Sequence, residues 1–237
     1  MILPTIRASI GRADALHLVE LLADGDRELA VSARDRLEAE GVDVLLDDPR
    51  VANALLTGRG VKTPPSVVFY VLVRQVMLEH GVDDRAAADY VASVLVRFGQ
   101  ARRAFRLSDD DPTEYHYVTE IVERLDRGGE RERFMARVHL GDFALWLTGL
   151  FPGFLDARVR RRGAPPVSYF EQWGSTGYRL AAESPEAERV GIEQVLRAIS
   201  QRFGDVRVAL NRLSDRHFWP GSGGDPIARL LREVGGR

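Results

Sequence analysis

The sequence predicts an all-α fold: a single multi-helix bundle of about nine to eleven helices over residues 1–220, then a Gly-rich linker and a short tail helix over 221–237. Three observations predict it. Capping residues and glycine stops bracket nearly every apolar segment. The one β-like run, residues 67–73, has no second run to pair with. A 3.5-residue apolar repeat occupies the C-terminal region.

In chain order, residues 13–22, 26–40 and 48–56 read as short amphipathic helices broken by Gly25, Gly41 and Gly58. Residues 65–81 follow. Their β-branched and aromatic content would suit a buried strand, but the apolar character runs too far for one. A central helix, apolar nearly all round because other helices surround it, is expected instead. Asp83 or Asp84 opens the next helix, whose face is Ala87, Tyr90, Val91, Val94, Leu95 and Phe98 and whose stop is Gly99.

Asp111-Pro112-Thr113-Glu114 offers an N-cap, a proline at the first helical position and a carboxylate at the third. Apolar Tyr115, Val118, Ile121, Val122 and Leu125 continue it at helical spacing. A second core helix is expected over residues 134–150. Ser168-Tyr169-Phe170-Glu171 repeats the capping box after Pro165-Pro166, and Ser184-Pro185-Glu186 opens a further helix. Ile192, Leu196, Ile199, Phe203, Val206, Leu210 and Leu213 then alternate spacings of four and three, with His217 in the next slot. Such a stripe serves either a dimerising coiled coil or the inner face of a bundle; Val195 and Ala209 widen it and favour the bundle. Gly204 and Asp205 weaken helix propensity near its middle and allow a bend or a split.

Composition removes several chemistries. The 237 residues include no cysteine, so thiol nucleophiles, disulfides, iron–sulfur clusters and Cys-based zinc sites are excluded. Lys62 is the only lysine among 33 basic residues, leaving 32 arginines, and Gly60-Val61-Lys62-Thr63 lacks the spacing of a phosphate-binding loop. With 35 acidic residues the net charge is −2, which argues against nucleic-acid partners and makes any anion binding local. Residues 1–12 are interrupted by Pro4, Arg7 and Arg12 and do not read as a secretory signal, so a cytoplasmic location is expected. The apolar windows 67–78 and 143–155 fall short of the ~20 residues that cross a bilayer, so an integral membrane protein is not expected.

Two stretches carry candidate sites. Within residues 138–152, Asp142 shares a helical neighbourhood with Val138, His139, Leu145 and Trp146, where a carboxylate is costly unless paired. Beside His139 it suits an acid/base pair or two metal ligands. Alternatively it is a buried polar pin that sets helix register, held by His139 or by a Tyr or Arg from another helix. The absence of a third catalytic member favours the pin. Gly174, Gly177 and Ala181 line one face of the following helix, with Tyr169, Trp173 and Tyr178 nearby. They suit a ligand pocket containing His139, Asp142, Tyr169 and Tyr178, or close helix packing, which is the simpler account.

The Gly141-Asp142-Phe143 helix ending in Gly149-Leu150-Phe151-Pro152, followed by a helix bearing Tyr169, Gly174 and Tyr178, resembles an uncharacterised family of bacterial all-α proteins. The resemblance implies helical architecture and supplies no activity.

Arg158, Arg160, Arg161 and Arg162 form a compact basic run. It suits phosphates or an anionic membrane surface, or else a helix C-terminus balanced by acids such as Asp109-Asp110-Asp111. His116, Glu120 and Glu123 lie at helical spacing but opposite the apolar face and read as solvated. Neither His-Glu-x-x-His nor Glu-x-x-His occurs, so no metal or cofactor is predicted. The reading favoured overall is a helical interaction or scaffold protein that self-associates or binds another protein. A small-molecule protein or enzyme, and a peripheral anion-surface binder, are the alternatives.

Overall fold

The computed structural model describes residues 3–59, 63–99, 103–107, 113–115, 117–125 and 128–218. These residues are largely helical and contain no strand, which makes the fold all-α. Lys62, Asp111, Pro112, His116, the acidic run 109–111 and the linker and tail over 221–237 lie outside them. The chain divides into two compact units, Pro4–Ser93 and a second formed by Leu3 with the residues from Val94 onward.

The N-terminal unit holds α1 (Ile6–Ser9), α2 (Arg12–Ala23), α3 (Arg27–Glu40), α4 (Asp43–Leu46), α5 (Pro49–Ala54), α6 (Pro65–Glu79) and α7 (Arg85–Phe98) as far as Ser93. The starts follow the expected chemistry. Asp26 accepts the Glu28 and Leu29 amides, Asp48 that of Arg50 with Pro49 at the first position, and Asp84 that of Ala87. The helices α1 and α4, four residues each, have no periodic signature of that length in the sequence.

Residues 67–73 are helical, and α6 buries Val67, Tyr70, Val71, Val73 and Met77. It also buries Arg74, only 1% exposed. A buried guanidinium demands partners. Arg74 Nε donates to Asp47 Oδ1 at 2.7 Å and Nη2 to Asp47 Oδ2 at 3.1 Å, with Asp83 taking a further bond from Nη2. Arg85 grips Asp47 from outside, and Arg7 pairs with Asp43. Burial works against the Arg74 charge, but the Asp47 and Asp83 carboxylates outweigh it and hold its pKa above the usual value. The Asp89 carboxylate accepts the amides of Ile6 and Arg7, which ties α1 to α7; burial raises its pKa despite those bonds.

The other unit contains the end of α7, α8 (Val118–Leu125), α9 (Glu130–Leu150), α10 (Pro152–Arg162), α11 (Val167–Ala182), α12 (Pro185–Arg189), α13 (Glu193–Gln201) and α14 (Phe203–Leu213). Its axis is α9, buried at every position from Val138 to Leu150. Helices α8, α11 and α14 pack on α9, and α13 packs on α11. Ser175 and Ser200 each donate a hydroxyl to the other's carbonyl at 3.0 Å and pin α11 to α13. The last carbonyls of α9 are satisfied by the neighbouring C-terminal segment: Asn211 Nδ2 donates to Thr148 O and Gly149 O, and Ser214 Oγ to Leu150 O, all at 2.7 Å.

The heptad stripe is split rather than continuous. Arg202 separates α13 from α14, and Gly204 and Asp205 fall in the first turn of α14. Ile192, Leu196, Ile199, Phe203, Val206, Leu210 and Leu213 are all buried within the chain, as an inner bundle face requires and a free coiled-coil seam does not. The His217 side chain lies outside the described residues.

Two expected capping boxes are replaced. Residues 113–115 are not helical: the Tyr115 amide donates to Phe105 O at 2.6 Å and Glu114 pairs with Arg106, so α8 starts at Val118, where Glu120 caps the Tyr117 amide. Helix α11 begins at Val167 after Pro166 without a side-chain cap, which puts Ser168 inside the first turn, and Glu171 pairs with Arg207. Ser184, by contrast, caps the Glu186 amide of α12 as its sequence predicts.

Candidate functional site

The chemistry-bearing side chains of α9 are placed by glycines. At Gly141 a Cβ would lie 2.4 Å from Tyr178 Cδ1, and at Gly177 one would lie 2.8 Å from the Arg137 carbonyl oxygen. At Gly174 it would meet the Phe203 ring at 2.5 Å. Only glycine lets α9 and α11 approach this closely, so the small-residue face serves helix packing. The approach seats the Tyr178 ring against the α9 backbone and carries its hydroxyl to Asp142, where it donates to Oδ1 at 2.8 Å. Tyr178 is fully buried and Asp142 is 3% exposed.

His139, one turn before Asp142, is also buried. Its ring lies 5.8 Å from that of Phe98 and 6.3 Å from that of Phe143. His139 and Asp142 line a recess with Arg97, Phe98, Leu107, Met135 and Val138. Its volume is about 10 Å³, room for about one water. Small-molecule pockets occupy several hundred Å³ by comparison (~300–1,000 Å³).

The structure therefore joins three of the four expected site residues and leaves out the fourth. Tyr169 stands nine positions before Tyr178 on α11, about 13 Å of helical rise, and packs edge-on against Phe170 and Trp173. One helical neighbour of Asp142 already noted in the sequence packs against Phe98, a ring that lines the recess. Trp146 meets Phe98, Phe105 and Phe151 edge-on, and its buried Nε1 has no hydrogen-bond partner among the described residues. Its signal was the position itself, four residues after Asp142 on the same helical face.

The basic run ends α10. Arg158 is half-buried, its guanidinium 5.9 Å from the Tyr117 ring centre and 5.5 Å from that of Phe154. Arg160 and Arg161 are exposed, and the Arg162 side chain lies outside the described residues. Gly163 closes the helix in the left-handed conformation, and its amide bonds to Val159 O. Tyr117, which the sequence did not single out, is thus the aromatic partner of the run.

Among the described residues no group of three or more His, Asp or Glu side chains is arranged to hold a metal ion. Glu120 serves as a cap at the start of α8. Among the described residues no single helix is long and apolar enough to cross a membrane; α9 and α10 together have the composition, but they bend by 89° and α9 is packed inside its unit. Comparison with family models, curated proteins and solved structures returned no match, so the reading of the site rests on its own chemistry.

Proposed function

We propose that the chain is a helical interaction protein, acting by self-association or by binding another protein through its outer surface, with no reaction of its own. The observation that supports this reading is the packing around Asp142. Its carboxylate accepts from Tyr178 beneath the surface, and the recess alongside admits about one water. Acid/base catalysis needs a substrate atom within hydrogen-bond reach of the acid or base, and an organic substrate does not fit there. On the outside, α3 buries Ala33 alone and presents an otherwise open, largely charged surface.

Static light scattering of the full chain at micromolar concentration tests self-association. The expected mass is a multiple of 26.4 kDa; a strict monomer removes self-association and leaves binding to another protein. The small-molecule reading predicts instead a ligand that raises the thermal midpoint of the unaltered chain and loses its effect in both His139→Ala and Asp142→Asn. Finding one would overturn the interaction reading.

A further inference from the structure

Four exposed arginines on the C-terminal helices are neutralised locally, while Arg212 makes no ion pair among the described residues. Arg179 pairs with Glu183, Arg189 with Glu186, Arg197 with Glu193 and Arg202 with Asp205, each within one helical turn. The end of α10 is different. Arg158, Arg160 and Arg161 make no ion pair among the described residues, and Asp156, one turn before Arg160, is exposed without pairing to it. Arg158 is held by aromatic faces instead, which leaves its hydrogen-bonding edge without a carboxylate.

Helix α10 is also a surface helix. Leu155 is its one fully buried side chain, while Pro152, Phe154, Ala157 and Val159 are half-buried. Tyr117 stands beside it, 54% exposed. Cations and half-exposed apolar groups thus occupy the same outer helix.

We propose that the outer face of α10, with Tyr117, docks on an anionic lipid bilayer. Arg158, Arg160 and Arg161 take headgroup phosphates through paired N–H donors, and Tyr117 and Phe154 lie at the headgroup boundary. Charge complementarity selects the occupant: an uncompensated cationic cluster on a molecule of net charge −2 attracts a dense anionic plane locally. Nucleic acid fits less well. The three arginines span only about 5 Å of helix, too short to follow a phosphate backbone, and the apolar neighbours would have no role there. Docking is peripheral, because α9 is packed within its own unit. The proposal stands apart from the protein-interaction reading and does not depend on it.

The test is co-sedimentation of the full chain with phosphatidylcholine vesicles, with and without about 30% phosphatidylserine, at low and high salt. Expected are binding to the anionic vesicles alone, about tenfold weakening as salt rises from about 0.05 M to 0.3 M, and a loss of about tenfold or more in R158Q/R160Q/R161Q. Should the triple variant lose its helical signal, R160E/R161E, which alters exposed side chains only, gives the same reading. Three outcomes overturn the proposal: no binding to anionic vesicles, binding equal in both variants and the unaltered chain, or tighter binding of a single-stranded oligonucleotide lost in the same variants. The last would reassign the face to nucleic acid.

Discussion

The Tyr178 hydroxyl and the Asp142 carboxylate meet at 2.8 Å across α11 and α9, beneath a surface on which neither residue is exposed. The bond and the glycine contacts belong to one arrangement. With a side chain at position 141 the Tyr178 ring could not lie on the α9 backbone, and its hydroxyl could not reach Asp142. The polar pair therefore fixes the rotation and translation of one helix against the other, a matter on which apolar contacts are less selective.

Tyr178→Phe removes the donor while keeping the ring. The expected loss is about 1–3 kcal/mol, the range for a buried polar atom losing its partner, read as a lower urea midpoint with an unchanged slope. Asp142→Ala strips the acceptor from the Tyr178 hydroxyl and should cost at least as much. In a double-mutant cycle the two losses should be strongly non-additive; additive losses would show that the bond carries no coupling.

The glycines give a graded prediction. Gly141→Ala forces a methyl group into a ring with nowhere to move and should cost about 3 kcal/mol, the upper part of the overpacking range. Gly177→Ala meets a backbone oxygen and should also destabilise strongly. Gly153 is the control: a Cβ there would meet nothing within 4 Å, and alanine should be neutral or stabilising by up to about 1 kcal/mol. Thermal midpoints of the three variants check the order.

What was legible in the sequence depended on range. Asp26, Asp48, Asp84 and Ser184 act on amides two or three residues away, and their caps could be read directly. Glu114 and Glu171 have the same local pattern but are captured by Arg106 and Arg207, partners eight and 36 residues distant. The isolated polar character of Asp142 within an apolar helix was visible, as was a Tyr among its candidate partners. That Tyr178, not Tyr169, would reach it depends on the α9–α11 crossing, which no local pattern encodes. Arg74, inside the apolar run 67–78, was not singled out, and Asp47 and Asp83 become its partners only once α6 is packed.

Arg74 should be the least replaceable charged residue of the N-terminal unit. Arg74→Met leaves the partly exposed Asp47 with Arg85 alone and is expected to cost about 1.5–3 kcal/mol, as losing hydrogen bonds to a charged group does. Arg74→Lys keeps the charge but lacks the two-pronged geometry that meets both Asp47 oxygens. It should recover only part of that loss. Urea unfolding of both variants distinguishes a requirement for the fork from a requirement for charge.

Asp48 provides a pH test with a defined sign. Burial pushes its carboxyl up, but the Arg50 guanidinium and backbone amide, together with Arg36, outweigh burial and lower its pKa from 3.8 to about 2. A carboxylate with a depressed folded-state pKa stabilises fully above its unfolded value and loses that contribution as pH falls through the folded one. A shift of this size corresponds to about 2 kcal/mol at neutral pH. Asn is an equally good N-cap, so Asp48→Asn preserves the start of α5 and isolates the charge. The variant should be less stable than the unaltered chain by about 2 kcal/mol from pH 7 to about pH 4, and the gap should close between about pH 4 and pH 2. Asp89, whose pKa is raised by burial, acts in the opposite sense: its protonation in the folded state favours folding as pH falls. Because Asp89 is present in both proteins, subtracting one urea-stability curve from the other cancels it and leaves the Asp48 contribution. A difference that stays constant down to about pH 2 would show that the arginines do not hold the Asp48 charge.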